Sequence, residues 1–134
     1  MDDVFVAQLM SSITYTVSPD TLVEDAAQTM LANDIGSVVV TDADNRVAGI
    51  LTTTDFVRIV AESHPKAETA VSAYMTADVI TTTAQTPVRD AADEMIEHGF
   101  HHLPVVDETE GLIGMITTSD LTAYVSHVQT PDPS

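Results

Sequence analysis

Apolar residues recur along this chain with two different spacings, and each spacing predicts an element. From Leu22 to about Asn33, the positions Leu22, Val23, Ala26, Ala27, Met30 and Leu31 follow helical intervals. Thr21 and Glu24 ahead of that stretch form Thr-x-x-Glu, which predicts a capping box with Thr21 as the cap. A second stretch begins at Thr86-Pro87, which predicts Thr86 as the cap and Pro87 at the first helical position. A short strand is expected over Thr14–Val17. Continuous apolar runs over Ser37–Thr41 and Val47–Leu51 flank the polar turn Asp42–Asn45. His102–Val106 and Leu112–Ile116 flank Asp107–Gly111 in the same way. These runs predict hairpins whose sheets are covered by helices. Closing helices are expected from about Asp55 to Glu62 and from Asp120 to Val128.

The two series are copies of one another. The segment beginning at Val6 aligns without a gap on the segment beginning at Val71, a constant offset of 71 − 6 = 65. Met10 matches Met75, Asp25-Ala26-Ala27 matches Asp90-Ala91-Ala92, and Met30 matches Met95. Gly49 matches Gly114, Thr52-Thr53 matches Thr117-Thr118, and Asp55 matches Asp120. Each copy reads strand, helix, strand, strand, helix. A unit of about 55 residues buries too little surface to be secure alone, so two copies are expected to pack sheet to sheet. The predicted fold is α+β, with two β-α-β-β-α repeats related by a pseudo-twofold axis and a cleft between them. The expected boundaries are 6–62 for the first repeat, 63–70 for a linker around Pro65, 71–128 for the second, and a flexible tail over 129–134.

Composition narrows the function classes. The chain has 134 residues, 44% of them hydrophobic, with 21 Asp+Glu against 4 Lys+Arg and a formal net charge of −17. That much apolar material excludes disorder for most of the chain. The absence of cysteine removes disulfides, thiolate metal sites and Cys nucleophiles together. A nucleic-acid surface is built from Lys and Arg, and only Arg46, Arg58, Lys66 and Arg89 are present, so no nucleic-acid partner is expected. No run of about 18 apolar residues exists to span a membrane. The start MDDVFVAQLM lacks the basic region of a signal peptide, which predicts a cytoplasmic protein. The carboxylates are spread along the whole chain. Molar salt shortens the Debye length to about 3 Å and relieves their mutual repulsion, so the surface reads as adapted to a salt-rich cytoplasm, with an ordinary acidic soluble protein as the alternative.

The sharpest local feature is a twin motif, Gly49-Ile-Leu-Thr52-Thr53-Thr54-Asp55 and Gly114-Met-Ile-Thr117-Thr118-Ser119-Asp120. Each lies where a buried strand turns into a helix, and two readings fit it. Thr-x-x-Asp at a helix start is a cap that needs no ligand. The same junction offers unpaired N–H groups to phosphate, hydroxyls from Thr52, Thr54, Thr117 and Ser119, and a carboxylate able to accept from two ribose hydroxyls.

Taken together, the helix from Asp25-Ala-Ala to Met30, the strand His102-Leu-Pro-Val-Val-Asp107 and both Gly-x-x-Thr-x-x-Asp segments resemble a tandem pair of cystathionine-β-synthase (CBS) domains, a Bateman module. The resemblance covers about residues 6–126. It implies a regulatory module, not an enzyme, that binds an adenosine compound such as AMP, ADP, ATP, S-adenosylmethionine or NAD. Asp55 and Asp120 would hold ribose, with Thr52/Thr54 and Thr117/Ser119 facing ribose or phosphate. Tyr15, Ile35, Gly36 and Ser37 would complete the Asp120 site, and Ile80, Phe100, His101 and His102 the Asp55 site. The resemblance also puts phosphate-meeting residues just before the Leu-Pro-Val strand. His101 and His102 stand there in the second repeat, beside the Asp120 site, whereas the first has Gly36 and Ser37, with Val39 in place of Pro104. Unequal occupancy of the two sites is therefore expected. The resemblance also implies a homodimer, while a separate effector protein is expected from the small size of the chain and a bridging cation such as Mg2+ from its scarcity of Lys and Arg.

Other candidates have plainer explanations. His98, His101 and His102 do not match a zinc spacing, and no metal site is assigned. Arg58 is expected to pair with Asp55 at i,i+3, with a phosphate contact as the alternative. Met10, Met30, Met75, Met95 and Met115 are placed as core fillers. Asp25 and Asp90 lie in first helix turns, where the helix dipole favours them. No activated nucleophile, phosphate-cradling Lys loop or paired acid and base is found, so catalysis is not expected. A ligand-independent interaction scaffold, with both motifs serving as caps, is the alternative to a nucleotide sensor.

Overall fold

The computed structural model describes residues 4–12, 14–62 and 68–129, so the expected tail beyond Gln129 and most of the expected linker lie outside the described residues. The elements run α1 (Val6–Leu9), β1 (Thr16–Val17), α2 (Val23–Asn33), β2 (Ser37–Thr41), β3 (Val47–Thr52), α3 (Thr53–Glu62), a 3-10 turn (Val71–Ala73), α4 (Val88–His98), β4 (His102–Asp107), β5 (Gly111–Thr117) and α5 (Thr118–Gln129). They form two compact bodies. The first comprises Thr14–Val79 with Glu110–Leu112; the second takes the described residues of Met1–Ile13, Ile80–Thr109 and Ile113–Ser134.

In the first body β2 is central, parallel to β1 and antiparallel to β3. All five residues of β2 are buried, which the unbroken Val38-Val39-Val40 run required. Val23, Ala26 and Met30 of α2 pack with Val38, Val40 and Leu51 of the sheet and Ile59 of α3. Val71 and Tyr74, from the opening segment of the second repeat, belong to this same core. Asp34 ends α2 in the left-handed conformation (φ 53°), the position Gly99 (φ 70°) takes after α4.

The second body is built from Ala91 and Met95 of α4, Leu103 and Val105 of β4, and Ile116 of β5, together with Val6 of α1. The opening segments are thus exchanged. Residues 4–12 complete the body of the second repeat, through bridges Phe5–Pro87 and Ser11–Met115, while Ala70 and the opening segment of the second repeat bridge to the first body through Leu22–Ala70 and Ile50–Thr76. The second repeat has no counterpart of β1 as a full strand. A single parallel bridge joins Thr82 to Val105, through Thr82 N–H to the Pro104 carbonyl (2.9 Å) and Val106 N–H to the Thr82 carbonyl (2.8 Å). Pro104, standing where the first repeat has Val39, has no N–H to extend that ladder.

Both expected helix caps are corrected. The cap of α2 is Leu22 rather than Thr21, and that of α4 is Pro87 rather than Thr86, without a side-chain cap bond in either case. Thr21 and Thr86 instead close the preceding turns, accepting from Ser18 N–H (3.1 Å) and Thr83 N–H (3.3 Å). The first helical N–H groups find distant backbone acceptors: Val23 donates to Thr69 and Val88 to Val4, both at 2.9 Å. Those distant carbonyls take the N–H that a hydroxyl cap would otherwise satisfy.

Candidate functional site

The twin motif forms two matching strand-to-helix junctions, β3 into α3 and β5 into α5. In the first, Asp55 Oδ2 accepts from Thr52 N–H at 2.8 Å and from the Thr52 hydroxyl at 3.3 Å. In the second, Asp120 Oδ2 accepts from Thr117 N–H at 2.8 Å and from its hydroxyl at 3.1 Å, and Asp120 N–H donates back to Thr117 Oγ1 at 3.2 Å. One oxygen of each aspartate therefore caps its own helix. The other oxygens differ. Asp55 Oδ1 faces Arg58 Nη1 at 3.3 Å, the expected i,i+3 pair, whereas Asp120 Oδ1 has no hydrogen bond or ion pair among the described residues.

The glycines that open both motifs answer a packing demand. A Cβ on Gly49 would lie 2.6 Å from Met75 Sδ and 2.9 Å from the Thr76 carbonyl oxygen. On Gly114 it would lie 2.6 Å from the Ser11 carbonyl oxygen and 3.1 Å from Met10 Sδ. Each glycine lets an exchanged opening segment lie flat on the strand, with paired backbone bonds between Ile50 and Thr76 (3.0 and 2.9 Å) and between Ser11 and Met115 (2.8 and 2.9 Å). Spacing within the motif carries no sign of this role. The matched pair Met10 and Met75 supplies one atom to each clash, its thioether sulfur, beside the backbone carbonyls of Ser11 and Thr76.

The remaining candidates divide by body. Tyr15, Ile35 and Ser37 share the first body with Thr52, Thr54 and Asp55; Ile80, Phe100, His101 and His102 share the second with Thr117, Ser119 and Asp120. Ser37 and Asp55 are buried, Ile35, Ile80, Phe100, His102, Thr52, Thr117 and Asp120 are half-buried, and Tyr15, Thr54, His101 and Ser119 are exposed. The backbone ties equivalent positions to each junction: Thr53 N–H donates to the Gly36 carbonyl (3.2 Å) and Thr118 N–H to the His101 carbonyl (3.0 Å). His101 and His102 thereby stand at the start of α5. Burial, with His101 alongside, holds the His102 imidazole below its ordinary pKa, and Asp120 opposes the shift. His98 ends α4, where it stacks on Phe100 with ring centroids 5.9 Å apart and lies 3.3 Å from Glu94. Among the described residues, no group of three or more His, Asp or Glu is arranged to hold a metal ion, and no helix is long and apolar enough to cross a membrane.

Duplicated hairpin-and-helix units, each ending in a strand–Thr-x-x-Asp–helix junction, define the class of the protein. The CBS domain model matches twice, over residues 6–62 and 71–127, and the chain belongs to this family. Among relatives, an uncharacterized 17.7 kDa protein of Acidianus ambivalens is 38% identical over 125 residues, 93% of this chain and 75% of that one. Homoserine O-acetyltransferase of Methanosalsum zhilinae is 28% identical over 95% of this chain, which spans only 25% of that enzyme. Among solved structures, the CBS domain pair of protein MJ0100, in complex with 5'-methylthioadenosine and S-adenosyl-L-methionine, superimposes with a TM-score of 0.87 at 22% identity, over 94% of this chain and 98% of that one. A CBS domain protein of Pyrobaculum aerophilum complexed with AMP gives 0.83 at 20% identity, over 95% and 100%. These likenesses establish the α+β CBS-pair fold.

Proposed function

We propose that this chain is a regulatory module that binds an adenosine-containing ligand at its Thr-x-x-Asp junctions and passes the binding event to a separate effector protein. The observation that carries this reading is Asp120: its carboxylate is held in place by Thr117, and its second oxygen is unclaimed among the described residues. A carboxylate so oriented suits a ribose diol, which donates two hydrogen bonds. Two structural neighbours were solved with adenosine compounds, which supports the same ligand class. Thr117 and Ser119 serve the Asp120 junction, and Thr52 and Thr54 the Asp55 junction. Phosphates, where the ligand has them, meet the hydroxyls, His101 or His102 and the helix-start N–H groups other than those of Thr53, Thr118 and Asp120, which are already taken, with a Mg2+ carried on the phosphates themselves. A −17 chain repels such an anion in dilute buffer, so binding is favoured in a salt-rich cytoplasm.

The same module forms a homodimer in this reading. Leu31 (83% exposed) on α2 and its repeat counterpart Ile96 (80% exposed) on α4 are large apolar side chains left on helix surfaces, which suits a self-complementary contact. A scaffold that binds no ligand is the second reading, favoured by one fact: Oδ2 of both aspartates already caps a helix.

Thermal unfolding in molar KCl, with AMP, ADP, ATP, NAD and S-adenosylmethionine in turn, separates the two. At 100 times Kd a ligand adds about 2.7 kcal/mol of stability. We expect at least one to do so in the wild type and to lose most of the effect in Asp120→Ala. No shift with any of the five leaves only the scaffold.

A further inference from the structure

Duplication makes each repeat a control for the other, and one side chain breaks the match at the aspartates. Arg58 lies one turn after Asp55, with Nη1 3.3 Å from Oδ1, and its guanidinium sits 5.5 Å above the Tyr74 ring. The Tyr74 hydroxyl donates to Glu62 Oε1 at 2.9 Å, which fixes the ring under the arginine. At the offset of 65 the second repeat has Ala123 for Arg58 and His127 for Glu62, and Leu9 of the first repeat's own lead segment corresponds to Tyr74. The whole device is therefore confined to the first body. Asp55 is itself 6% exposed, and Oδ2 is taken by Thr52, so Oδ1 is the oxygen a ligand would need.

We propose that Arg58 is a positioning residue that masks Asp55, so that a ribose diol competes with a resident guanidinium there and meets no such competitor at Asp120. This rests on the adenosine-binding reading above and adds to it a cause for unequal affinity. The Arg58 side chain is 55% exposed, so its pairing is weak and displaceable. It lowers affinity by a factor of up to about five and does not abolish binding.

Adenosine is the probe, because it carries the diol without phosphate and so excludes any attraction of Arg58 for an anion. Calorimetric titration in molar KCl would compare Arg58→Gln and Arg58→Lys in an Asp120→Asn background, where the amide oxygen still accepts from Thr117 N–H. Asp120→Ser serves as a second background if the first melts early. Arg58→Gln is expected to tighten adenosine by about three- to fivefold, and Arg58→Lys, which keeps the charge, to restore the parent value. Equal or weaker binding in Arg58→Gln overturns the proposal. Adenosine bound by the wild type but by none of the Asp120→Asn chains overturns the masking and leaves the adenosine reading standing. Binding by no chain, wild type included, overturns both.

Discussion

The two repeats carry the same backbone device and different surroundings for it. Gly49 and Gly114 both admit an exchanged segment onto a strand, and Thr52 and Thr117 both hold an aspartate by N–H and hydroxyl. What differs is the set of side chains around those aspartates: Arg58 against Ala123, Ser37 against His102, Gly36 against His101. The two glycines and the Thr–Asp bonds have survived duplication in both copies, while the residues beside the aspartates have diverged. The lesson is that the motif by itself defines a junction, and what faces its second carboxylate oxygen is set by residues outside the motif.

Three substitution pairs and one single change press on this comparison. The largest effect is expected at the glycines. Gly114→Ala pushes a methyl to 2.6 Å from a backbone carbonyl, whereas Gly49→Ala meets the flexible Met75 thioether at 2.6 Å and a backbone carbonyl less closely, at 2.9 Å. Denaturant unfolding should show about 3 kcal/mol lost for Gly114→Ala and nearer ~2 kcal/mol for Gly49→Ala. Equal losses would mean that the two exchanged segments are held alike.

Next come the aspartates without ligand. Asp55→Ala and Asp120→Ala each remove a helix cap and should cost about 1 kcal/mol. The excess at Asp55, measured in a double-mutant cycle with Arg58→Gln, should stay under about 1 kcal/mol because the arginine is exposed. A larger coupling would show the pair to be a structural anchor.

The helix ends supply a reciprocal swap. Asp34 holds φ 53° at the end of α2, a conformation costly for a residue with a side chain, while Gly99 holds φ 70° with open space around it. Asp34→Gly should raise the unfolding free energy by up to about 1 kcal/mol, and Gly99→Asp should lower it by a similar amount. If both changes are neutral, the left-handed turn contributes nothing to the difference between the bodies.

The smallest effect belongs to pH. The folded His102 has a lowered pKa, so between its value and the ordinary 6.5 the unfolded chain binds the extra proton. Its contribution is present above pH 6.5 and is lost as pH falls through the folded value. His102→Ser, which copies Ser37, should flatten that part of the stability profile by a fraction of a kcal/mol. An unchanged profile would remove the histidine from the list of differences that matter.

Hairpins, helix bodies and the duplication were all legible in the amino-acid pattern, because each rests on side chains close together in sequence. The unbroken apolar run of β2 announced a strand buried on both faces, and it is buried throughout. The Asp55–Arg58 pair was legible for the same reason, a spacing of one helical turn. Helix starts were not. Thr21 and Thr86 have the composition of caps, yet the N–H groups they would satisfy are taken by Thr69 and Val4 backbone carbonyls from distant chain. The role of Gly49 and Gly114 was hidden likewise, since the atoms that exclude a side chain there come from the exchanged segments. Local rules read local chemistry; what arrives from the far end of the chain overrides them.

That exchange sets an order of events during synthesis. Apart from Glu110–Leu112, the first body draws on Thr14–Val79 alone and can close while the ribosome is still making the rest. The second cannot, because Ser11 pairs with Met115, about a hundred residues later. Residues 4–12, the earliest part of this stretch to leave the ribosome, are thus among the last to find their place. They include the apolar Val4, Phe5, Val6 and Leu9. Until Met115 has been made, a nascent chain must keep that stretch unengaged, which exposes it to chaperones and to mispairing with another copy.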